Sequence, residues 1–233
     1  MLTFSDFDSR GYPTVDVRTG YAGWAATYEN TVEDVMDLAL LDALTAPDWS
    51  AVHRAADLGC GTGRTGVWLR EHGVPHVDGV DLTPEMLTVA RERGVHDRLV
   101  EGEATSTGLE GDTYQLVIAS LVDEHLPDLG AFYSEASRLA TQDARFVVVS
   151  YHPQFIISTG MPTHFTDDSG ESFTIATHLH LVSDHVTAAL EAGWALEEMR
   201  EGVIDDRWIA AKPKWAKHRN LPISAAYVWK TSH

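Results

Sequence analysis

From about residue 52 onward, two periodicities alternate along the chain. Residues 52–58, 76–81, 114–120 and 145–151 are short apolar runs, and 97–101 is a shorter one. Their length and continuity predict strands buried on both faces. Residues 63–72, 83–93 and 129–140 instead repeat apolar positions at helical spacing. Thr83 stands as an N-cap, with Pro84 at the first helical position and Glu85 in the first turn. Strands alternating with helices predict an α/β fold, a doubly wound and mostly parallel sheet covered on both faces.

The flanks read differently. Residues 1–20 are turn-rich and predict a mobile arm. Residues 21–29 and 31–45 read as helices, the second stopped by Pro47, so that 1–50 form an N-terminal arm and helical cap. The alternating rhythm breaks at His152. Residues 153–182 hold two prolines, two glycines and no clear period. A stretch this long inside a compact domain predicts a lid, inserted into a domain running from 51 to 233. Order returns with a helix over 184–192, ended by Gly193, and strands over 195–203 and 225–230.

The most informative segment is Asp57-Leu58-Gly59-Cys60-Gly61-Thr62-Gly63, where an apolar run ends in an acid and three alternating glycines. Glycines there allow a sharp turn and a close ligand approach, and the helix start that follows presents free N–H groups. About 20 residues on, at the end of the next strand, Asp81 stands where nucleotide-binding sheets keep an acid for ribose hydroxyls. This segment resembles the first motif of class I S-adenosylmethionine-dependent methyltransferases of the small-molecule type. Val80-Asp81-Leu82-Thr83-Pro84-Glu85-Met86-Leu87 resembles the second motif, and Glu101-Gly102-Glu103-Ala104 the segment beside the adenine. Residues 114–120 and 123–128 are similar to the family's fourth strand and the stretch after it.

The resemblance implies a seven-stranded Rossmann-like sheet whose last strand runs antiparallel, with S-adenosyl-L-methionine as cofactor. It implies that Asp57, Gly59, Cys60 and Gly61 hold the methionine end and that Asp81 holds the ribose. Leu82 and Met86 would lie against the adenine, with Glu103 and Ala104 beside it, and Ser120 and Leu121 would face the methionine amino group. Glu103 stands where the family usually has Asp. Tyr21, Trp24 and Tyr28 resemble the aromatic helix that closes over the cofactor, with Tyr21 and Tyr28 on the cofactor and Trp24 toward the substrate. Gly61-Thr62-Gly63-Arg64-Thr65-Gly66 also matches G-x-G-x-x-G, so an NAD(P)-dependent oxidoreductase is a competing reading. It is disfavoured by the acid and glycine preceding the pattern and by the lack of a Tyr-x-x-x-Lys pair.

For chemistry, His125 and His152 are the candidate general bases, because imidazole titrates near neutral pH. Tyr151, His164 and His178 are candidate substrate contacts. His178 and His180 alternate and share a face if extended, but methyl transfer needs no metal and none is assigned. Trp208, Trp215, Tyr227 and Trp229 suggest an enclosed, mostly apolar pocket for a small organic acceptor. Oxygen is the first acceptor atom considered. A cofactor-binding protein or non-methylating catalyst on the same fold is the alternative.

Charge narrows the partners. Seventeen Lys and Arg against thirty-five Asp and Glu leave a net charge of −18. That field repels phosphate backbones and anionic membranes, so neither nucleic acid nor membrane is an expected partner. One cysteine excludes an internal disulfide, and the first residues show no signal-peptide pattern, so a cytoplasmic setting is expected. A homodimer is compatible with this composition.

Overall fold

The computed structural model describes residues 4, 7–32, 35–167 and 169–232. The chain begins with a two-residue strand β1 (Thr14–Val15) and helix α1 (Val17–Trp24). Asp16 caps α1 by accepting the Thr19 N–H at 3.0 Å, which sets the helix start four residues before the apolar pattern does. A single 3₁₀ turn follows at Tyr28–Asn30, and then a short α2 (Leu38–Asp42). The helix expected over 31–45 is therefore reduced to five residues, with 33 and 34 outside the described residues. The helix starts at its cap Asp37, whose carboxylate accepts the Leu38 N–H and pairs with Arg64.

The central pattern then follows in order: β2 (Arg54–Leu58), α3 (Arg64–Glu71), β3 (His76–Asp81), α4 (Pro84–Arg93) and β4 (Arg98–Glu101). β5 (Tyr114–Ser120), α5 (Leu129–Leu139) and β6 (Ala140–Tyr151) continue it. The segment after His152 folds into α6 (Pro153–Thr159), β7 (His164–Thr166) and β8 (Ser172–Ile175). Then come α7 (Val182–Glu191), β9 (Trp194–Val203), α8 (Asp206–Ala211) and β10 (Pro222–Thr231).

Seven strands form one sheet in the order β4-β3-β2-β5-β6-β10-β9. The pairs from β4 through β6 are parallel, and β10 runs antiparallel to both β6 and β9. Alternation along β5 loads both faces. Leu116 and Ile118 pack with Leu41, Trp68 and Leu69, while Val117 and Ala119 pack with Phe132, Tyr133 and Leu139. The chain reverses its direction of travel between β2 and β5, and ligand crevices form at the carboxyl ends of strands at such a point.

The N-terminal arm is not free. β1 pairs in parallel with β8, and β7 completes a second, three-stranded sheet. The Ser9 N–H donates to the Gly160 carbonyl at 3.1 Å, and Phe4 is buried against Ile156 and Leu179. A two-residue strand whose partner lies about 160 positions away leaves no local sequence signal. Among the described residues, no helix is long and apolar enough to cross a membrane.

Candidate active site

The glycine loop turns between β2 and α3. Gly59 and Gly61 have φ of +69° and +52°, where a side chain is strained. A Cβ at Gly59 would also stand 2.6 Å from Val122 Cγ2, whereas one at Gly61 would project into open space. The loop is tied to the next strand: the Gly59 and Cys60 N–H groups donate to the Val80 carbonyl. Asp81 accepts the Gly61 N–H at 2.7 Å and the Thr83 N–H at 2.8 Å. Its carboxylate is thereby held at the rim of the crevice, with burial raising its pKa.

Here the loop and the ends of β3, β4 and β5 enclose a cavity of about 330 Å³. Tyr21, Tyr28, Gly59, Gly61, Asp81 and Leu82 line it. Met86, Glu103, Ala104, Ser120, Leu121 and the candidate base His125 line it too. Asp57 and Cys60 lie beneath the loop instead, outside the lining. Asp57 Oδ2 is 3.3 Å from Nε2 of His96, a residue unnoticed in the sequence. His96 also explains Gly66, the last glycine of the G-x-G-x-x-G pattern. A Cβ there would come within 2.5 Å of the His96 ring. Gly66 is thus a packing glycine, which removes the support that this pattern lent to a dinucleotide site.

A second cavity of about 560 Å³ adjoins the first, and Tyr21, Tyr28 and Leu121 line both. Leu121 holds φ of +57°, an uncommon conformation for a branched residue, just past the end of β5. Strain of this kind concentrates at functional sites. Trp24, Tyr151 and His164, the candidate substrate contacts, line the second cavity, and so do Trp208 and Trp215. Tyr227 and Trp229 are instead in the sheet core.

The turn after Leu121 distributes three polar side chains. Residues Asp123–His125 form one 3₁₀ turn, in which consecutive side chains point about 120° apart. Asp123 reaches His185 Nε2 at 3.3 Å, Glu124 lines the larger cavity and His125 the smaller. Both nitrogens of His125 are engaged: Nδ1–H donates to the Ala176 carbonyl at 2.8 Å, and Nε2 accepts the Tyr21 hydroxyl at 2.8 Å. Burial lowers its pKa to about 4. A fully engaged, neutral imidazole orients Tyr21 rather than collecting protons.

This has a consequence for stability. Because the folded-state pKa lies below the ordinary 6.5, the unfolded chain takes up the proton first as pH falls. His125 should therefore cost about 3 kcal/mol of stability between pH 6.5 and 4, with no further loss below. Denaturant titrations at several pH values, compared with His125→Gln, check this; equal slopes in the two proteins would contradict it.

Glu124 is the residue that sequence reading passed over. It is 3% exposed, its Oε1 accepts the Thr163 hydroxyl at 3.3 Å, and its Oε2 has no hydrogen-bond partner among the described residues. Burial, followed by the charge of Asp123, raises its pKa well above the carboxylate range. Its neighbourhood in the chain, an acid directly before the singled-out His125, was the only available signal. His152 and His178 fall outside both cavities. His152 caps α6 by accepting the Gln154 N–H and donates from Nε2 to Glu201 at 2.8 Å. His178 has its backbone N–H on the Glu124 carbonyl and its ring against His180.

The N-terminal elements are clamped onto the glycine loop. Arg64 pairs with Asp37 at 3.0 Å, the Thr62 hydroxyl donates to Glu29, and Trp68 Nε1 donates to Asp42 at 2.8 Å. Asp37 also accepts the Ser120 hydroxyl at 3.3 Å.

Comparison with known proteins agrees with this geometry. Residues 56–148 match a family described as a methyltransferase domain. The chain is 31% identical to an uncharacterized methyltransferase of Bacillus subtilis, YcgJ, over 50% of this chain and 47% of that protein. It is 28% identical to an uncharacterized methyltransferase of Emericella nidulans, AN0656, over 68% of this chain and 64% of that protein. The chain thus spans about half to two-thirds of these relatives. The crystal structure of an S-adenosylmethionine-dependent methyltransferase from Mesorhizobium loti superposes with a TM-score of 0.66 at 23% identity. That match covers 84% of this chain and 97% of the other. S-adenosylmethionine fits the smaller cavity: a carboxylate stands at its rim, and no Cβ fills the space at Gly61. Residues 56–148 thus match a methyltransferase domain, and the fold around them is that of S-adenosylmethionine-dependent methyltransferases.

Proposed function

We propose that this protein transfers a methyl group from S-adenosylmethionine to a small organic acceptor held in the larger cavity. The observation that carries this reading is the junction of the two cavities at Tyr21, Tyr28 and Leu121. The cofactor, when bound, supplies a methyl group already activated by its sulfonium. Asp81 binds the ribose hydroxyls, the Gly59–Gly61 turn and Ser120 receive the methionine end, and Leu82, Met86, Glu103 and Ala104 surround the adenine. Tyr21 and Tyr28 exclude water at the junction, and His125 orients Tyr21 from behind. Glu124 accepts a proton from the acceptor atom, which favours an acidic hydroxyl over a carbon acceptor. Residues 1–50 act as a cap and 153–182 as a lid. The strained Leu121 fixes the wall between cofactor and acceptor, where small misplacements cost rate.

The test is a titration with S-adenosylmethionine, S-adenosylhomocysteine and NADH, followed by a screen of hydroxylated and aminated acceptors for S-adenosylhomocysteine formation. Micromolar binding of the first two and turnover on a screened acceptor is the expected result. Binding of NADH alone would overturn the assignment. Tight cofactor binding with no turnover on any acceptor would favour a non-methylating protein.

A further inference from the structure

The chain contains four lysines, at 212, 214, 217 and 230, and three of them line the larger cavity. Arg10 lines it too, reaching His164 Nε2 at 3.0 Å and Met161 Sδ at 2.9 Å. Among the described residues, the lining holds one carboxyl group, Glu124. The surrounding protein has the opposite balance, with 35 acids against 17 bases. A field of that sign repels anions everywhere except where cations are gathered locally. Lys212 Nζ donates to the Thr31 carbonyl at 2.9 Å, which places one ammonium at the cavity wall. Lys214 and Lys217 line the same wall, and no ion pair to either is seen among the described residues.

A second, independent observation lies on the same wall. Trp215 Nε1 and His218 Nε2 are buried with no hydrogen-bond partner among the described residues, and both residues line the cavity. The indole N–H is a donor only, so its missing partner must be an acceptor. Leaving such groups unsatisfied is costly, and native structures keep few of them. Arg10 lies against the His164 ring, whose pKa is lowered by burial and by the charges of Arg10, Lys214 and Lys212. The rest of the wall is aromatic. Phe155 stacks on Trp215 at 5.4 Å and on Tyr151 at 6.4 Å, and Trp208 lies 5.5 Å from Trp215.

We propose that the acceptor is a small aromatic molecule bearing an anionic group, a carboxylate or a phosphate. Arg10, Lys214 and Lys217 hold that group, and the unpartnered Trp215 and His218 nitrogens hydrogen-bond its oxygens. The aromatic body lies among Tyr151, Phe155, Trp208 and Trp215. This inference rests on the methyltransferase reading, because it names the substrate class of that reaction. The basic wall is built by α8 and the turn at Pro213–His218, inserted between β9 and β10.

The experiment uses the full chain saturated with S-adenosylhomocysteine and three probes of matched ring: 4-hydroxybenzoate, 4-hydroxyphenyl phosphate and methyl 4-hydroxybenzoate. Calorimetric titration should show one of the two anions binding at least tenfold more tightly than the neutral ester. Raising the salt should weaken that anion and leave the ester unchanged. Whichever anion binds identifies carboxylate or phosphate. Lys214→Ala/Lys217→Ala should weaken the anion roughly tenfold, while Lys230→Ala, which removes charge outside the cavity, should not. An ester that binds as tightly as both anions, no binding of either anion, or an unaffected double variant would each overturn the proposal. The methyltransferase reading stands or falls separately, on the binding of S-adenosylhomocysteine in the first step.

Discussion

Replacing Asp81 by Ala is expected to weaken S-adenosylhomocysteine binding by roughly 10²-fold or more. Asp81 lines the smaller cavity, and its two oxygens accept the backbone N–H groups of Gly61 and Thr83. A carboxylate fixed in that way is pre-oriented, so it loses little freedom when ribose hydroxyls arrive. Each hydrogen bond to a charged acceptor contributes about 1.5–3 kcal/mol, and the ribose offers two. The same substitution releases the Gly61 N–H and loosens the loop that carries the methionine end. Asp81→Asn separates the effects, since it keeps the volume and one accepting oxygen. It should retain more affinity than Asp81→Ala and melt close to wild type without cofactor. Calorimetry on both variants decides: affinity within threefold of wild type for Asp81→Ala would remove Asp81 from the cofactor site.

The second large effect is expected at Glu124. Glu124→Gln should lower kcat by roughly 10²–10⁴-fold, the range that a positioned general base contributes. Affinity for S-adenosylhomocysteine should be unchanged, because Glu124 lines the acceptor cavity and not the cofactor cavity. The pH profile gives a second readout. Burial and Asp123 favour the protonated carboxyl, so the active, ionised form is populated only as pH rises above the usual carboxylate range. Wild-type kcat should therefore climb with pH through the neutral region and beyond. In Glu124→Gln that rise should vanish. Asp123, His125, Tyr21, Tyr28 and Tyr151 surround the group, and the tyrosines are raised by burial, while His125 is neutral above pH 4. Neither the tyrosines nor His125 supplies the same titration. A Gln variant that keeps both its rate and its rise would leave Glu124 as a wall residue only, and loss of rate in His125→Gln alone would return the base to the histidine.

Much of the cofactor side was legible in the sequence because its signals are local. The Asp57–Gly63 turn needs positive φ at Gly59 and Gly61, and only glycine takes that cheaply. Asp81 and Met86 follow one strand end and one helix start, so spacing along the chain stands in for spacing in space. The sheet was equally legible from β2 to β6, since buried parallel strands read as continuous apolar runs. The N-terminal helix was read a few residues late, because Asp16 as its cap outweighs the apolar pattern that begins at Tyr21.

The acceptor side was decided by contacts that have no sequence period. Glu124 and His125 are neighbours in the chain, yet a 3₁₀ turn sends them to different cavities. His152 carried the same residue type as a catalytic base but was taken up by Glu201 and by the start of α6. The pairing of β1 with β8, and of Arg10 with His164, joins segments about 150 residues apart. Sequence alone determined the sheet and the glycine turn, both set by short-range backbone sterics and apolar periodicity, and the resemblance of its motifs to S-adenosylmethionine-dependent methyltransferases implied the cofactor. Tertiary structure alone decided which charges meet in the acceptor cavity, because burial and long-range packing choose the partner of each polar side chain, and no local pattern records that choice.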